Sequence, residues 1–181
     1  MNLIILDRDG TINEDRDDYV KSADDWVPIP GSLEAIARLN HAGWHTVIAT
    51  NQSGLGRGLF DMAALNAMHA KMNTLLAKVG GRIDAVFFCP HTPDEACDCR
   101  KPQPGLFRQI GERYGVDPVD RTDIVGAHVE LEGHLFGHLD PEPAVDGDRL
   151  DSETESVIED VRSLNPEAAI IEAESPVTLD P

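Results

Sequence analysis

The stretch NLIILDRDGT, residues 2–11, decides the fold that the rest of the chain follows. Residues 2–7 form a short, continuous apolar run, which is typical of a strand buried on both faces of a parallel sheet. The run ends in two carboxylates, Asp7 and Asp9, and Gly10 then allows the chain to turn away. Three later runs predict further buried strands: HTVIAT at 45–50, DAVFFC at 84–89 and TDIVG at 122–126.

Amphipathic segments between these runs predict helices. Ser32 is predicted to cap the first helix, with Gly43 as its stop, and Asp61 is predicted to cap a second helix that ends at residues 80–81. A third helix is predicted over residues 104–114. The inward stripes are Leu65, Met68, Met72, Leu75, Leu76 and Val79 in the second helix, and Leu106, Phe107, Ile110 and Tyr114 in the third.

Alternating strands and helices with short connections predict an α/β fold, a doubly wound parallel sheet without a large cap domain. Ligands of such sheets bind at the carboxyl ends of the strands, where the polar residues of this chain are found. Three glycines after the second strand, Gly54, Gly56 and Gly58, predict a flexible loop over that site.

Length and charge narrow the class of protein. The 181 residues carry a formal charge of -18, and residues 128–181 account for -13 of it with 15 acids and two bases. We therefore divide the chain into residues 1–127 and an acidic C-terminal region, 128–181. The charge argues against a nucleic-acid partner, and without a signal peptide or an apolar run of roughly 18 residues we expect a cytoplasmic protein with no membrane partner.

The paired carboxylates predict chemistry at the end of the first strand. Strand alternation puts Asp7 and Asp9 on one face, where they repel each other unless a cation is bound or one of them is protonated. Mg²⁺ meets that need because hard cations take oxygen ligands. One carboxylate can then act as a nucleophile and the other as an acid and base. For the motif taken alone, a solvated Asp-Gly turn is the alternative.

All three cysteines of the chain lie within eleven residues, together with one histidine. Three thiolates and an imidazole form a closed tetrahedral Zn²⁺ set, which predicts a structural zinc that staples this loop. Reduced buried cysteines or a disulfide are the alternatives, and the odd count disfavours the disulfide. The predicted ligands, in the pattern C-x-H-x5-C-x-C, are Cys89, His91, Cys97 and Cys99.

The segments LDRDGT, ATNQSG and CRKP, each following a predicted strand, together resemble the haloacid dehalogenase superfamily of aspartate-nucleophile phosphatases. ATNQSGLGRG and CPH-x5-CDCRKPQPG are similar, more narrowly, to the heptose 1,7-bisphosphate 7-phosphatase family over residues 1–126. The resemblance implies that Asp7 attacks phosphorus, and that Asp9 protonates the leaving alkoxide and then activates water. It implies that Thr50 and Lys101 hold the phosphoryl oxygens.

The same resemblance implies a set of substrate contacts and a metal. Mg²⁺ is expected at Asp7 and Asp9, and the zinc loop is also similar to that of histidinol-phosphate phosphatases. The expected substrate contacts are Asp15, Arg16, Asp17, Asp18, Asn51, Gln52, Ser53 and Arg100.

The chain departs from the family after residue 126. The family has an Asp that completes the Mg²⁺ site where this chain has Ala127, which cannot ligate a metal. Three hypotheses follow: Glu130 or Glu132 substitutes; residues 128–146 are an insertion and Asp148 is the displaced ligand; or the end of the fold is foreign sequence. In the second, residues 168–172 (AAIIE) form a closing strand.

Together these observations predict a Mg²⁺-dependent phosphatase that removes the 7-phosphate of a heptose 1,7-bisphosphate on the route to lipopolysaccharide or other glycan precursors. A histidinol-phosphate phosphatase and a weakened relative that only binds phosphosugars are the alternatives, the second because of Ala127. We expect a monomer whose partner is a small sugar phosphate.

Overall fold

The computed structural model describes residues 1–116. The elements in chain order are β1 Leu3–Leu6, α1 Ser32–His41, β2 His45–Asn51, α2 Ser53–Gly56, α3 Met62–Lys78, β3 Ala85–Cys89 and α4 Gly105–Tyr114. Several predictions fall outside the described residues: the strand at 122–126, the domain boundary near 127, Ala127, Glu130, Glu132, Asp148 and the closing strand at 168–172.

The three strands form a parallel sheet in the order β1-β2-β3, which confirms the predicted strand type. Leu3 is opposite His45 in the first pair, and Val47 is opposite Ala85 in the second. Parallel pairing places the carboxyl ends of all three strands at the same edge. The polar residues that follow the strands are therefore brought to one edge of the sheet.

Helices cover both faces of the sheet, as a doubly wound architecture requires. Ile4 and Leu6 of β1 pack in a cluster with residues of α1 and α3, whereas Leu3 and Ile5 pack with α4. Alternate residues of one strand thus enter opposite cores, because strand side chains alternate between faces. This two-sided burial explains why β1 is a continuous apolar run instead of an alternating one.

The helix α3 follows its sequence pattern closely. The side chain of Asp61 accepts a hydrogen bond from the backbone N–H of Ala64, as predicted for the cap. Four residues of the predicted stripe are completely buried, and each buried apolar side chain contributes about 1.5–3 kcal/mol. These are Leu65, Met68, Met72 and Leu76, while Leu75 and Val79 pack against them at the margin.

Two local predictions were wrong. Ser32 does not cap α1: Gly31 occupies the N-cap with a φ of 87°, and the Ser32 hydroxyl donates to the Ile12 carbonyl instead. The glycines after β2 do not all lie in a loop, because residues 53–56, with Gly54 and Gly56, form the short helix α2, while Gly58 lies in the turn that follows. A Cβ on Gly56 would lie 2.5 Å from the Pro90 carbonyl oxygen, so this glycine permits close packing.

No helix within residues 1–116 is both long enough and apolar enough to cross a membrane.

Candidate active site

The first strand and the loop after β3 meet at an ion pair. Lys101 Nζ lies 2.5 Å from Asp7 Oδ2, and the side chains are only 7% and 15% exposed. The other carboxylate oxygen of Asp7 accepts the backbone N–H of Arg8 at 2.7 Å. The predicted nucleophile and the predicted phosphate-binding lysine are thus in direct contact, although 94 positions apart in sequence.

Asp9 is held by donors on several sides. Its Oδ1 accepts from Asn13 Nδ2 at 2.9 Å, and its Oδ2 accepts from Gln52 Nε2 at 2.7 Å. The Arg8 guanidinium adds three contacts, from Nε to Oδ1 at 3.1 Å and from Nη2 to Oδ1 and Oδ2 at 2.9 and 3.0 Å. This arrangement fixes the orientation of the carboxylate.

Gln52 connects the two strand ends. Its Nε2 donates to Thr50 Oγ1 at 3.0 Å as well as to Asp9, and its Oε1 accepts from Arg8 at 3.0 Å. The Gln52 side chain is buried and its hydrogen bonds go to other site residues. Gln52 was expected to contact substrate, and in this structure it ties Thr50 to Asp9.

Asn51 holds the backbone of Lys101. Its Nδ2 donates to the Lys101 carbonyl at 3.1 Å, and its Oδ1 accepts the Lys101 N–H at 3.0 Å. A side-chain amide that pairs with both backbone groups of one residue fixes the path of that residue. Asn51, expected among the substrate contacts, therefore aligns the loop end that carries Lys101. Its neighbour Ser53 is buried as the first residue of α2.

The four predicted zinc ligands converge. Their ligand atoms lie within 4.8 Å of one another. His91 Nδ1 is 3.2 Å from Cys99 Sγ and 3.5 Å from Cys89 Sγ, and Cys89 Sγ is 3.8 Å from Cys97 Sγ and 3.2 Å from Cys99 Sγ. Burial raises the pKa of the Cys89 thiol to about 12, so it becomes a thiolate only beside a strong positive charge.

The surface of the same loop has its own contacts. Glu95 accepts from the Thr92 N–H at 2.6 Å and from the Thr92 hydroxyl at 3.0 Å. Arg100 Nη1 donates to the His91 carbonyl at 3.4 Å. Arg100 is thus attached to the backbone of a predicted metal ligand, next to Lys101.

The predicted substrate loop at residues 15–18 is exposed to solvent. Arg16 and Lys21 contact the Asp18 carboxylate at 3.0 and 2.9 Å, and their hydrogen bonds, that of Lys21 foremost, lower the pKa of Asp18 to about 2. Asp15 accepts the Arg16 N–H at 2.8 Å. Asp15 and Asp17 are exposed to water, and no described hydrogen bond joins this loop to Asp7 or Asp9.

Three residues that the sequence interpretation missed complete the site: Arg8, Asn13 and His69. Arg8 and Asn13 are completely buried, and His69 Nε2 lies 3.4 Å from Arg8 Nη1. Burial, reinforced by the Arg8 charge, lowers the pKa of His69 to about 4. The position of Arg8 between Asp7 and Asp9 was the available signal for an ion pair, whereas nothing in the sequence links His69 to it.

Comparison with known proteins identifies the family of this chain. The model of the family described as polynucleotide kinase 3 phosphatase matches residues 2–126. The D-glycero-β-D-manno-heptose-1,7-bisphosphate 7-phosphatase of Pseudomonas aeruginosa is 60% identical over 116 residues, 64% of this chain and 65% of that protein. The same-named phosphatase of Bordetella bronchiseptica is 62% identical over 117 residues, which is 65% of each chain.

A solved structure supports the fold. The D,D-heptose 1,7-bisphosphate phosphatase from B. bronchiseptica, complexed with magnesium and phosphate, superposes with a TM-score of 0.64 at 59% identity. The match covers 70% of this chain and 67% of that one. The chain spans about 65% of the length of the two curated relatives. Through residues 2–126, it belongs to the polynucleotide kinase 3 phosphatase family, among haloacid dehalogenase-like phosphatases that include the heptose 1,7-bisphosphate 7-phosphatases.

Proposed function

We propose that this chain hydrolyses the 7-phosphate of D-glycero-D-manno-heptose 1,7-bisphosphate. The observation that carries the proposal is the Asp7–Lys101 ion pair at the carboxyl ends of the strands. Over 116 and 117 residues, the chain is 60% and 62% identical to two phosphatases of that name. A nucleic-acid end is a poorer substrate for a chain of formal charge -18, since phosphate backbones are bound by basic surfaces.

The reaction proceeds in two displacements. A carboxylate oxygen of Asp7 attacks phosphorus, the bond between phosphorus and the C7 oxygen breaks, and Asp9 gives its proton to the leaving alkoxide. Water then attacks the aspartyl-phosphate, Asp9 takes a proton from that water, and inorganic phosphate leaves. Asp7 is thereby restored, and no oxidant or further reactant is needed.

Positioning and charge neutralisation provide most of the catalysis in phosphoryl transfer. Lys101, already paired with Asp7, is placed to neutralise the oxygens of the transferring group. The Thr50 hydroxyl, whose oxygen accepts from Gln52, has its proton left to donate to a phosphoryl oxygen. Each contact matters most where charge develops in the transition state.

The donor set fits Mg²⁺. The partly exposed carboxylate of Asp7 and an oxygen atom of Asp9 other than the one that carries the transferred proton would hold the ion, because hard cations select oxygen ligands. When bound there, the ion supplies positive charge for the phosphoryl oxygens. The third protein ligand, Glu130 or Asp148, is proposed from sequence alone.

The Cys/His group fits zinc. With Zn–S bonds of about 2.3 Å, tetrahedral corners lie about 3.8 Å apart. Four of the pairs of ligand atoms lie 3.2 to 3.8 Å apart, and all four atoms lie within 4.8 Å of one another. The four protein ligands would fill all four positions, so this zinc would be structural. It would hold the loop that ends in Arg100 and Lys101.

The exposed loop at residues 15–18, together with Arg100, is proposed to select the sugar. Since the described residues contain no separate cap over the strand ends, such loops are the parts that can reach a bound sugar. A heptose chain carries hydroxyl groups along its length, and carboxylates such as Asp15 and Asp17 accept hydrogen bonds from hydroxyls.

The test is release of phosphate from heptose 1,7-bisphosphate by the full chain with Mg²⁺. Asp7→Asn keeps the shape of the side chain and removes the nucleophile, so turnover should fall by at least about 10⁴-fold. Asp24→Asn, at an exposed aspartate outside the site, is the matched control and should retain full activity. Histidinol phosphate is assayed in parallel.

The outcomes separate the candidates. Faster turnover of histidinol phosphate would replace the proposed substrate and leave the reaction intact. A folded, zinc-loaded chain that binds heptose bisphosphate without turnover would favour a phosphosugar-binding protein, as Ala127 suggests.

A further inference from the structure

Behind the proposed acid, two side chains take no part in the reaction steps above: Arg8 and His69. Arg8 is 0% exposed and permanently charged. A buried charge without partners is very costly, so its partners must compensate for the lost water. These partners, within the described residues, are the Asp9 carboxylate, Gln52 Oε1 and His69 Nε2.

The nitrogens of the guanidinium divide these partners between them. Nε and Nη2 face Asp9, and Nη2 also donates to Gln52 at 3.0 Å. Nη1 points the other way, to His69 Nε2 at 3.4 Å. Since a guanidinium is planar and rigid, fixing Nη1 fixes the plane in which the other nitrogens meet the carboxylate.

His69 is suited to accept this bond. Arg8 has no lone pair to offer, so Nε2 of the imidazole must be the acceptor and the ring proton must be on Nδ1. Burial lowers the pKa of His69 to about 4, which keeps the ring neutral near pH 7. The preceding residue, Met68, is completely buried in the core, so α3 holds the imidazole in place.

We propose that Arg8 and His69 are positioning residues for the general acid, with His69 fixing Arg8 from α3 and Arg8 fixing the carboxylate of Asp9. The inference rests on the proposed function, because it needs Asp9 to protonate a leaving group. Its consequence is specific: loosening Arg8 weakens proton transfer and leaves the attack of Asp7 on phosphorus intact.

Two esters distinguish that consequence from a general structural defect. When a sugar phosphate reacts, the leaving group is the sugar alkoxide, which needs the proton of Asp9. When p-nitrophenyl phosphate reacts, the leaving group is a stabilised phenolate, which needs no proton. In His69→Leu, kcat for heptose 1,7-bisphosphate should fall about 10- to 100-fold with KM nearly unchanged, because misplaced catalytic groups cost up to about 100-fold. Turnover of p-nitrophenyl phosphate should change less than about threefold.

The conservative variant His69→Gln supplies the rescue. Its amide oxygen can take the place of Nε2, so kcat for the sugar phosphate should return to within about threefold of wild type. Should His69→Leu fail to fold, His69→Asn replaces it with the same expectation, since its shorter amide does not reach Arg8.

Equal losses on both esters, or a folded His69→Gln as slow as His69→Leu, would overturn the inference alone. A wild type that hydrolyses neither ester overturns the proposed function and the inference with it.

Discussion

The two sides of the candidate site are held by different forces. Asp7 and Asp9 follow β1, whose four side chains are at most 2% exposed, so packing in two cores positions them. Lys101 ends a loop at residues 90–101 with few buried side chains, where the Cys/His group and Asn51 provide the order. The carboxylate side should therefore tolerate changes to the loop, whereas the lysine side should not.

The largest effect is expected from a substitution in the Cys/His group, which would disorder the lysine side of the site. Cys99→Ser replaces a 9% exposed thiol of the Cys/His group with a poor zinc ligand. With this ligand lost, zinc content should fall well below one per chain. Because metal binding also contributes the free energy that folds such loops, Lys101 should then no longer be held beside Asp7. We expect a loss of at least about 100-fold in kcat, measured with zinc content by elemental analysis.

Glu95→Gln controls for that experiment. It alters the surface contacts to Thr92 in the same loop and touches no proposed ligand, so it should keep zinc and activity. Full activity of a zinc-free Cys99→Ser would mean that the loop orders itself, and the contrast between the two sides would be lost.

The second prediction concerns the packing of α2 against the loop. Gly56→Ala places a Cβ 2.5 Å from the Pro90 carbonyl oxygen, where the backbone must shift. It should lower the free energy of unfolding by about 1–3 kcal/mol, as overpacking does. Gly58→Asn is the control, because this position has no atom within 4 Å of an added Cβ and Asn tolerates its φ of 68°.

Denaturant titration measures both variants. If Gly56→Ala and wild type had equal stability, α2 would be able to shift at little cost in free energy. That is the behaviour expected of the flexible loop predicted from the glycines. The predicted difference instead supports the short helix as a rigid support for residue 90.

The sequence predicted the positions of the strands and helices more accurately than the side-chain contacts. Continuous apolar runs, an Asp cap and a 3.6-residue stripe gave strands and helices within about two residues of their observed bounds. Such patterns are local, so local residues determine them. The cap at Ser32 failed because its hydroxyl has a better tertiary partner, the Ile12 carbonyl.

The site was predicted through motifs and not through its supporting residues. The convergence of the Cys/His set was predictable because its four residues lie within eleven positions of the sequence. Arg8, His69 and the bridging role of Gln52 were not, because each depends on which side chains the topology brings together over tens of residues. One histidine can accept a hydrogen bond from a buried arginine, and another can lie on the polar face of a helix. No local sequence pattern distinguishes the two.

The third prediction weakens the lysine side by one residue. Asn51→Leu removes both hydrogen bonds to the Lys101 backbone, whereas Asn51→Asp keeps the acceptor for its N–H. We expect losses of about 1 kcal/mol in unfolding free energy for the leucine variant and less for the aspartate. The kcat of the leucine variant should fall about tenfold, because Lys101 is displaced from the reacting groups. If the leucine and aspartate variants had the same unfolding free energy and kcat, the order of this segment would be assigned to the Cys/His group alone.

The smallest effect concerns pH and the carboxylate side. The pKa of His69 is lowered from 6.5 to about 4. Burial is the larger cause and the positive charge of Arg8 the smaller one, while the negative charge of Asp9 opposes the shift. Between these values the unfolded chain binds a proton that the folded chain does not. The stability that His69 contributes is therefore complete above pH 6.5 and is lost as the pH falls towards 4. One proton limits the slope to about 1.4 kcal/mol per pH unit, and the water that still reaches the ring reduces it.

His69→Gln removes this titration, so its unfolding free energy should depend less on pH between 6.5 and 4 than that of wild type. Urea midpoints at pH 7, 5.5 and 4.5 measure the difference, with His41→Gln, an exposed histidine at the end of α1, as the control. The effect is small because α3 and β1 remain packed when the ring is replaced. Parallel curves for wild type and His69→Gln would place His69 in water, and Arg8 Nη1 would then need another acceptor.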